Sequence, residues 1–275
     1  MRTGKLKVKR YPARSPAKWL ALLLCGVLLG AGAWAVFRGE TPLALPWVNS
    51  TPAPFPQIAD TARAEMTLTL PGQSWYALQL GALDTAREAQ ALAEGFRSRG
   101  AAGYVFMKDG YQVLAAAYET RTEAQKVQVQ LKNQHQVEAK TVEILRPQVT
   151  FRLSGQKAQL SALEDALNNL DQLARRLGSL SVSLDQGETG GDQARLALRS
   201  EGATLSALRE KLLSLFPGAA HPAVSALDQI MAELIPALDG AAGTAAQTRL
   251  GAQVKYCQLM CVCRLAAFAE NPAGE

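Results

Sequence analysis

Histidine is nearly absent from this chain of 275 residues: only His135 and His221 occur, far apart in sequence. A zinc hydrolase needs more histidine and acidic ligands at defined spacings, so that class has no support. Cysteine is scarce too, with Cys25 near the N-terminus and Cys257, Cys261 and Cys263 near the C-terminus. Cys257-x-x-x-Cys261-x-Cys263 fits no zinc pattern, and three cysteines outside the first apolar run give no disulfide framework. Cys257 and Cys261 fall on an apolar helical stripe, which suits small buried core residues. Pairing Cys257 with either histidine as a nucleophile has no local support, and Lys255 and Tyr256 add no catalytic geometry. No phosphate-cradling glycine loop is present, since the glycine-rich stretch GETGG lacks both the lysine and a preceding strand. Glu164-Asp165 reads as part of a solvated helix face. No metal, cofactor or catalytic residue is expected, and the chain is not read as an enzyme.

Charge is missing altogether from Trp19 to Phe37 (WLALLLCGVLLGAGAWAVF). That run is close to the roughly 20 apolar residues that cross a bilayer. Seven basic residues precede it, from Arg2 to Lys18. They exceed the net charge of +5, so the remainder is slightly acidic and the basic total says little about nucleic acid. No Lys/Arg stripe with interleaved aromatics follows. The basic flank points the N-terminus into the cytoplasm. A cleaved signal peptide is the rival reading, with Ala33-Trp34-Ala35 as its cleavage site. The length of the apolar run and of the basic segment favours an uncleaved anchor. Residues 1–18 then form a cytoplasmic tail and 19–37 a transmembrane helix in the plasma membrane, with everything after it extracytoplasmic. Residues 38–73, with five prolines between Pro42 and Pro56, read as a semi-rigid spacer.

A compact unit is expected over 74–147. Tyr76, Leu78 and Leu80 alternate with Ala77, Gln79 and Gly81 as a strand does. Thr85 and Glu88 match a capping box before a helix with Ala89, Leu92, Ala93 and Phe96 on its apolar face, stopped by Gly100. GYVFM (Gly103–Met107) and YQVLA (Tyr111–Ala115) make two strands around an Asp109-Gly110 hairpin turn. Thr120 and Glu123 open a second helix, and Val137–Leu145 forms the last strand. The order βαββαβ predicts a ferredoxin-like α+β unit: a four-stranded antiparallel sheet with two helices on one face. The other face is expected to be open, with Gln79, Ala77, Gly81 and Gln112 on it. Tyr104 and Phe106 are divided between core and an exposed stacking surface.

From 151 to 270 leucine recurs at three and four, as in Leu163, Leu167 and Leu170, or Leu205, Leu208 and Leu212. Four amphipathic helices are expected, packed as a bundle or long hairpin. Breaks are placed at GETGG, at Phe216-Pro217-Gly218 and at Leu238-Asp239-Gly240.

The opening Tyr76-Ala77-Leu78-Gln79-Leu80-Gly81-Ala82-Leu83, followed by Gly110-Tyr111-Gln112-Val113 and Tyr118-Glu119-Thr120-Arg121-Thr122-Glu123-Ala124, resembles the SPOR domain. That resemblance covers about a quarter of the chain. It implies a module that binds peptidoglycan glycan strands stripped of their stem peptides, in a protein recruited to a division or sporulation septum. Gln79, Gly81, Phe106, Gln112 and Leu114 are the glycan-binding residues it suggests. An amide such as that of Gln79 donates and accepts on one side chain, which suits hydroxyl and acetamido groups. Gln112 stands where the family has Arg, and Ala116-Ala117 where it has Gly-Pro. These departures leave room for an extracytoplasmic protein-interaction module that has lost glycan binding. The C-terminal helices are expected to recruit a protein partner or to self-associate.

Overall fold

The computed structural model describes residues 63–217 and 221–271. The expected cytoplasmic tail and transmembrane helix, and the proline-rich stretch, lie outside them. No helix among the described residues is long and apolar enough to cross a membrane.

The described chain is α+β. Its order is β1 (Arg63–Leu70), β2 (Gln73–Leu83), α1 (Ala86–Arg97), β3 (Tyr104–Met107), β4 (Tyr111–Tyr118), α2 (Arg121–His135), β5 (Lys140–Arg146) and β6 (Val149–Gln156). Four long helices follow: α3 (Lys157–Asp185), α4 (Gly191–Leu215), α5 (Pro222–Ala242) and α6 (Gln247–Glu270). The main sheet runs β3-β4-β2-β5 with every neighbour antiparallel. That order results when two βαβ crossovers interleave, each laying its helix on the same face.

Local chemistry accounts for the boundaries. The Thr85 hydroxyl accepts the Glu88 N–H at 3.3 Å, and Thr120 does the same for Glu123 at 3.2 Å. Each satisfies one of the free donors at a helix start. The Glu88 carboxylate accepts a hydrogen bond from the Thr85 hydroxyl, at 2.9 Å, instead of reaching back to the backbone. At the β3–β4 turn Asp109 and Gly110 have φ of 50° and 106°, the left-handed values that let two residues reverse a hairpin.

Three expectations need correction. Residues 63–70 are not spacer, and 149–156 are not the lead-in to a helix: β1 and β6 pair antiparallel along their whole length, from Arg63 opposite Gln156 to Leu70 opposite Val149. This ribbon brackets the βαββαβ unit. The break placed at Leu238-Asp239-Gly240 does not occur, because α5 runs through Gly240 to Ala242 and stops at Gly243. The open sheet face is also largely covered. The helices α1 and α2 pack on one face as expected, and α6 packs on the other.

The four C-terminal helices form a closed bundle in which α3 touches α4 and α6, and α5 touches α4 and α6. One continuous core joins the bundle to the sheet. Trp75, Ala77, Leu114, Ala117 and Ile144 of the sheet share it with Leu170, Leu173, Leu227, Leu234 and Phe268 of the bundle. A buried ion pair fastens the seam: Arg146 at the end of β5, 3 % exposed, holds Asp171 of α3 at 2.7 Å. Its Nε also donates to the Pro71 carbonyl at 3.1 Å. Cys257, Cys261 and Cys263 are buried in α6, and burial pushes each thiol up to about 12.

Two outcomes follow from this core. Arg146→Ala leaves the Asp171 carboxylate with only the more exposed Arg175, 3.2 Å away, and is expected to cost about 2 kcal/mol in urea unfolding, whereas a loss below ~1 kcal/mol would show that the seam does not depend on this pair. The three thiols should resist iodoacetamide at pH 8 in the native chain and label in denaturant, as read by peptide mass spectrometry. Because their folded pKa is raised above the ordinary 9.0, their contribution to stability is intact below pH 9 and is lost as pH climbs towards 12.

Candidate functional site

Register fixes which side chains share the second face of the sheet. Directly opposed residues of an antiparallel pair point the same way. Lys140, Gln79, Leu114 and Tyr104 form one row across β5, β2, β4 and β3. Ala82, Gln112 and Phe106 form the next row towards the end of the sheet. Gln79, Gln112, Leu114 and Phe106, all suggested from sequence, are thus brought together.

Gly81 is not with them. The β2–β4 register shifts on both sides of Gln79, so strict alternation fails beyond it. Gly81 comes opposite Val113, which packs with Ala89 and Ala93 of α1. A Cβ placed on Gly81 would lie 2.7 Å from a Leu92 methyl, which puts its side-chain position under α1. An extra residue in a strand moves everything after it to the opposite face, and the expectation that Gly81 shares the face of Gln79 assumed none.

Most of the face is closed by α6. Tyr256 meets Tyr104 edge to face, with centroids 5.3 Å apart, and the Arg97 guanidinium lies 5.4 Å from the Tyr256 ring. Arg97 also donates to the Ala102 and Gly103 carbonyls, at 3.3 and 3.0 Å, which ties the α1–β3 loop to the same place. Gln258, 1 % exposed, donates to the Ala117 carbonyl at 3.1 Å. Leu114 is fully buried, and burial raises the Tyr104 hydroxyl well above the usual phenol range. Leu114 therefore offers nothing to a ligand in this state. Tyr104 belongs to the core.

What stays accessible is the far end of the face. Gln79, Gln112 and Phe106 are half-buried, while Ala82, Met107 and Lys140 are exposed. The Gln112 amide donates to the Lys108 carbonyl at 3.0 Å, which holds the side chain in place. Beside this end, β5 pairs with β2 only as far as Lys140 opposite Gln79. Beyond that point a groove of about 260 Å³ opens along Gln79–Ala82, with Gln128, Lys132 and Lys140 on its other side. Lys132 lies 3.9 Å from Glu138, and Lys140 has no carboxylate partner among the described residues.

The remaining candidates sit in structural settings. The His221 ring caps α5, where its Nδ1 accepts the Ala223 N–H at 3.3 Å. Asp165 holds Lys211 at 2.8 Å between two helices of the bundle. Among the described residues no three His, Cys, Asp or Glu side chains gather as a metal site would require.

The closure by α6 left a sequence signal that went unread. Leu114 to Tyr118 reads LAAAY, which is apolar on both strand faces, and α6 is buried over most of its circumference from Leu250 to Ala269, with only a narrow stripe through Gln253 and Arg264 left. A strand without a polar face and a helix with only a narrow one mark elements covered on both sides.

Comparison with known proteins adds a family. Residues 72–140 match the SPOR domain family model, over the segment that forms β2 to α2 and the start of β5. Neither the curated proteins nor the solved structures gave a match. SPOR domains are peptidoglycan-binding modules of cell division proteins and bind its glycan strands. With the expected strand–helix order found on the matched segment, residues 72–140 are similar to the SPOR domain.

Proposed function

We propose that this is a non-catalytic envelope protein that reads peptide-stripped peptidoglycan at a division or sporulation septum. It is held in the plasma membrane by residues 19–37, with the SPOR domain and helical bundle extracytoplasmic. The observation that carries the reading is the accessible end of the sheet face, where Gln79, Gln112 and Lys140 stand together on the matched segment. Removing a stem peptide at its lactyl linkage leaves a carboxylate on the sugar. The stripped strand thus presents acetamido groups and regular negative charge. The two glutamines suit the first and Lys140 suits the second. Such a small site binds weakly alone, and many copies on one membrane facing one wall supply avidity.

A second reading has its own support. Exposing Trp75, Leu114 and Ile144 by lifting α6 away would cost roughly 5–9 kcal/mol on the sheet side alone. That is comparable to the whole stability of a typical domain, about 5–15 kcal/mol. The closure is therefore a permanent part of the fold and not a lid. A SPOR domain closed in this way could serve as a rigid support for protein contacts, with glycan binding lost.

Sacculus co-sedimentation separates the two. The full chain is needed, because a fragment limited to 74–147 would lack α6 and bare its apolar face. Retention on amidase-stripped sacculi should exceed that on intact sacculi several-fold. It should fall in Gln79→Ala and in Lys140→Ala, and salt should weaken it. No retention on either preparation would leave the protein-interaction reading standing alone.

A further inference from the structure

The helix-covered face of the sheet contains a cavity that the glycan reading does not use. In most helix-on-sheet layers the two helices also pack on each other. Here α1 and α2 hardly touch. Each has its own small cluster: Ala89, Ala93 and Val113 under α1, and Leu78, Ala115 and Ala124 under α2. The cause is side-chain size. Alanines seat both helices close to the sheet, and α2 buries only Ala124 completely, so nothing bulky fills the space between them.

The result is a cleft of about 340 Å³, at the small end of the roughly 300–1,000 Å³ range of ligand pockets. Its floor is Leu78, Leu80 and Ala115, and Val127, Leu131 and Phe96 contribute its walls. No charged group is among these six. The rest of the lining includes Arg99, Asp185 and Lys255, with the Tyr118 hydroxyl and the His135 imidazole of α2. Lys255 of α6 bonds Asp185 of α3 at 2.9 Å and the Gly100 carbonyl at 3.1 Å, so those two charges are matched. Arg99 also lines the cleft and has no carboxylate partner among the described residues. Its guanidinium rests 5.5 Å from the Phe96 ring. An apolar pocket with one unmatched guanidinium has a defined complement. It fits a single unbranched chain ending in one carboxylate, which Arg can take with two parallel hydrogen bonds.

We propose that the cleft between α1 and α2 binds a medium-chain fatty carboxylate, tail against Leu78, Leu80 and Leu131 and head on Arg99. This site is independent of the glycan-binding end of the sheet. It lies on the opposite face from Gln79.

Calorimetric titration of the full chain with decanoate, and with decan-1-ol as the uncharged twin, tests the assignment. Saturable one-to-one binding of decanoate is expected. Arg99→Ala should weaken decanoate about tenfold and leave decanol unchanged, because only the charged head loses its partner. Val127→Trp fills the cleft from a partly exposed helix position and should abolish the binding of both. Arg99 is on the surface, so its variant keeps the test valid if Val127→Trp folds poorly. Absence of saturable decanoate binding overturns the proposal. So does equal weakening of both ligands by Arg99→Ala, and so does decanoate binding that persists in folded Val127→Trp.

Discussion

Everything in the described chain is arranged around one contact, the burial of α6 between the sheet and the rest of the bundle. A helix enclosed on most sides has little polar face to spare, and α6 meets that condition with Leu, Val, Ala and three cysteines, leaving a narrow stripe through Gln253 and Arg264 towards solvent. Three of its polar residues are held by partners. Lys255 is matched by Asp185, Gln258 by a backbone carbonyl, and Arg264 by Glu233 at 2.7 Å. The neighbours adapt as well. Gly178 of α3 lies against Gln258, where an added Cβ would come within 2.7 Å of the amide nitrogen. The small Ala77 and Ala117 provide the flat floor on which the helix rests.

This contact divides the sheet face in two. The half near the start of β2 belongs to the core. The half near the β3–β4 turn keeps Gln79, Gln112 and Lys140 within reach of solvent. A SPOR domain whose face is partly covered by its own chain has less surface for a polymer than an open sheet would. It holds the remaining side chains more rigidly. On the proposed function, weak recognition would depend on how many copies face the wall, and less on how each copy adapts to it.

Much of the βαββαβ unit was legible because its signals are local. The Thr85 and Thr120 caps, the Asp109-Gly110 turn and the alternation of Tyr76, Leu78 and Leu80 each depend on a few neighbouring residues. The same locality explains the misses. The ribbon strands alternate clearly, Ala64, Met66, Leu68 and Leu70 in one and Val149, Phe151 and Leu153 in the other. Their partners, however, are 79 to 93 residues apart, and each beginning was absorbed into the neighbouring segment. The position of Gly81 turned on a register shift, which no periodicity announces. The closure by α6 is a long-range contact between elements whose composition hinted at double burial without naming the partner. Gly240 misled for a simpler reason: a single glycine is tolerated inside a long helix that tertiary packing holds together.

The β1–β6 ribbon has a mechanical consequence. It brings the two ends of the SPOR unit together, with Leu70 beside Val149, and then carries the chain to Arg63 beside Gln156. A pull between the segment before Arg63 and the helical bundle therefore meets the ribbon first. The load is borne by hydrogen-bonded pairs that open one after another from the Arg63 end, while the main sheet lies outside the force path. A chain strained between two attachments would lengthen at this stem before the surface around Gln79 and Gln112 was distorted.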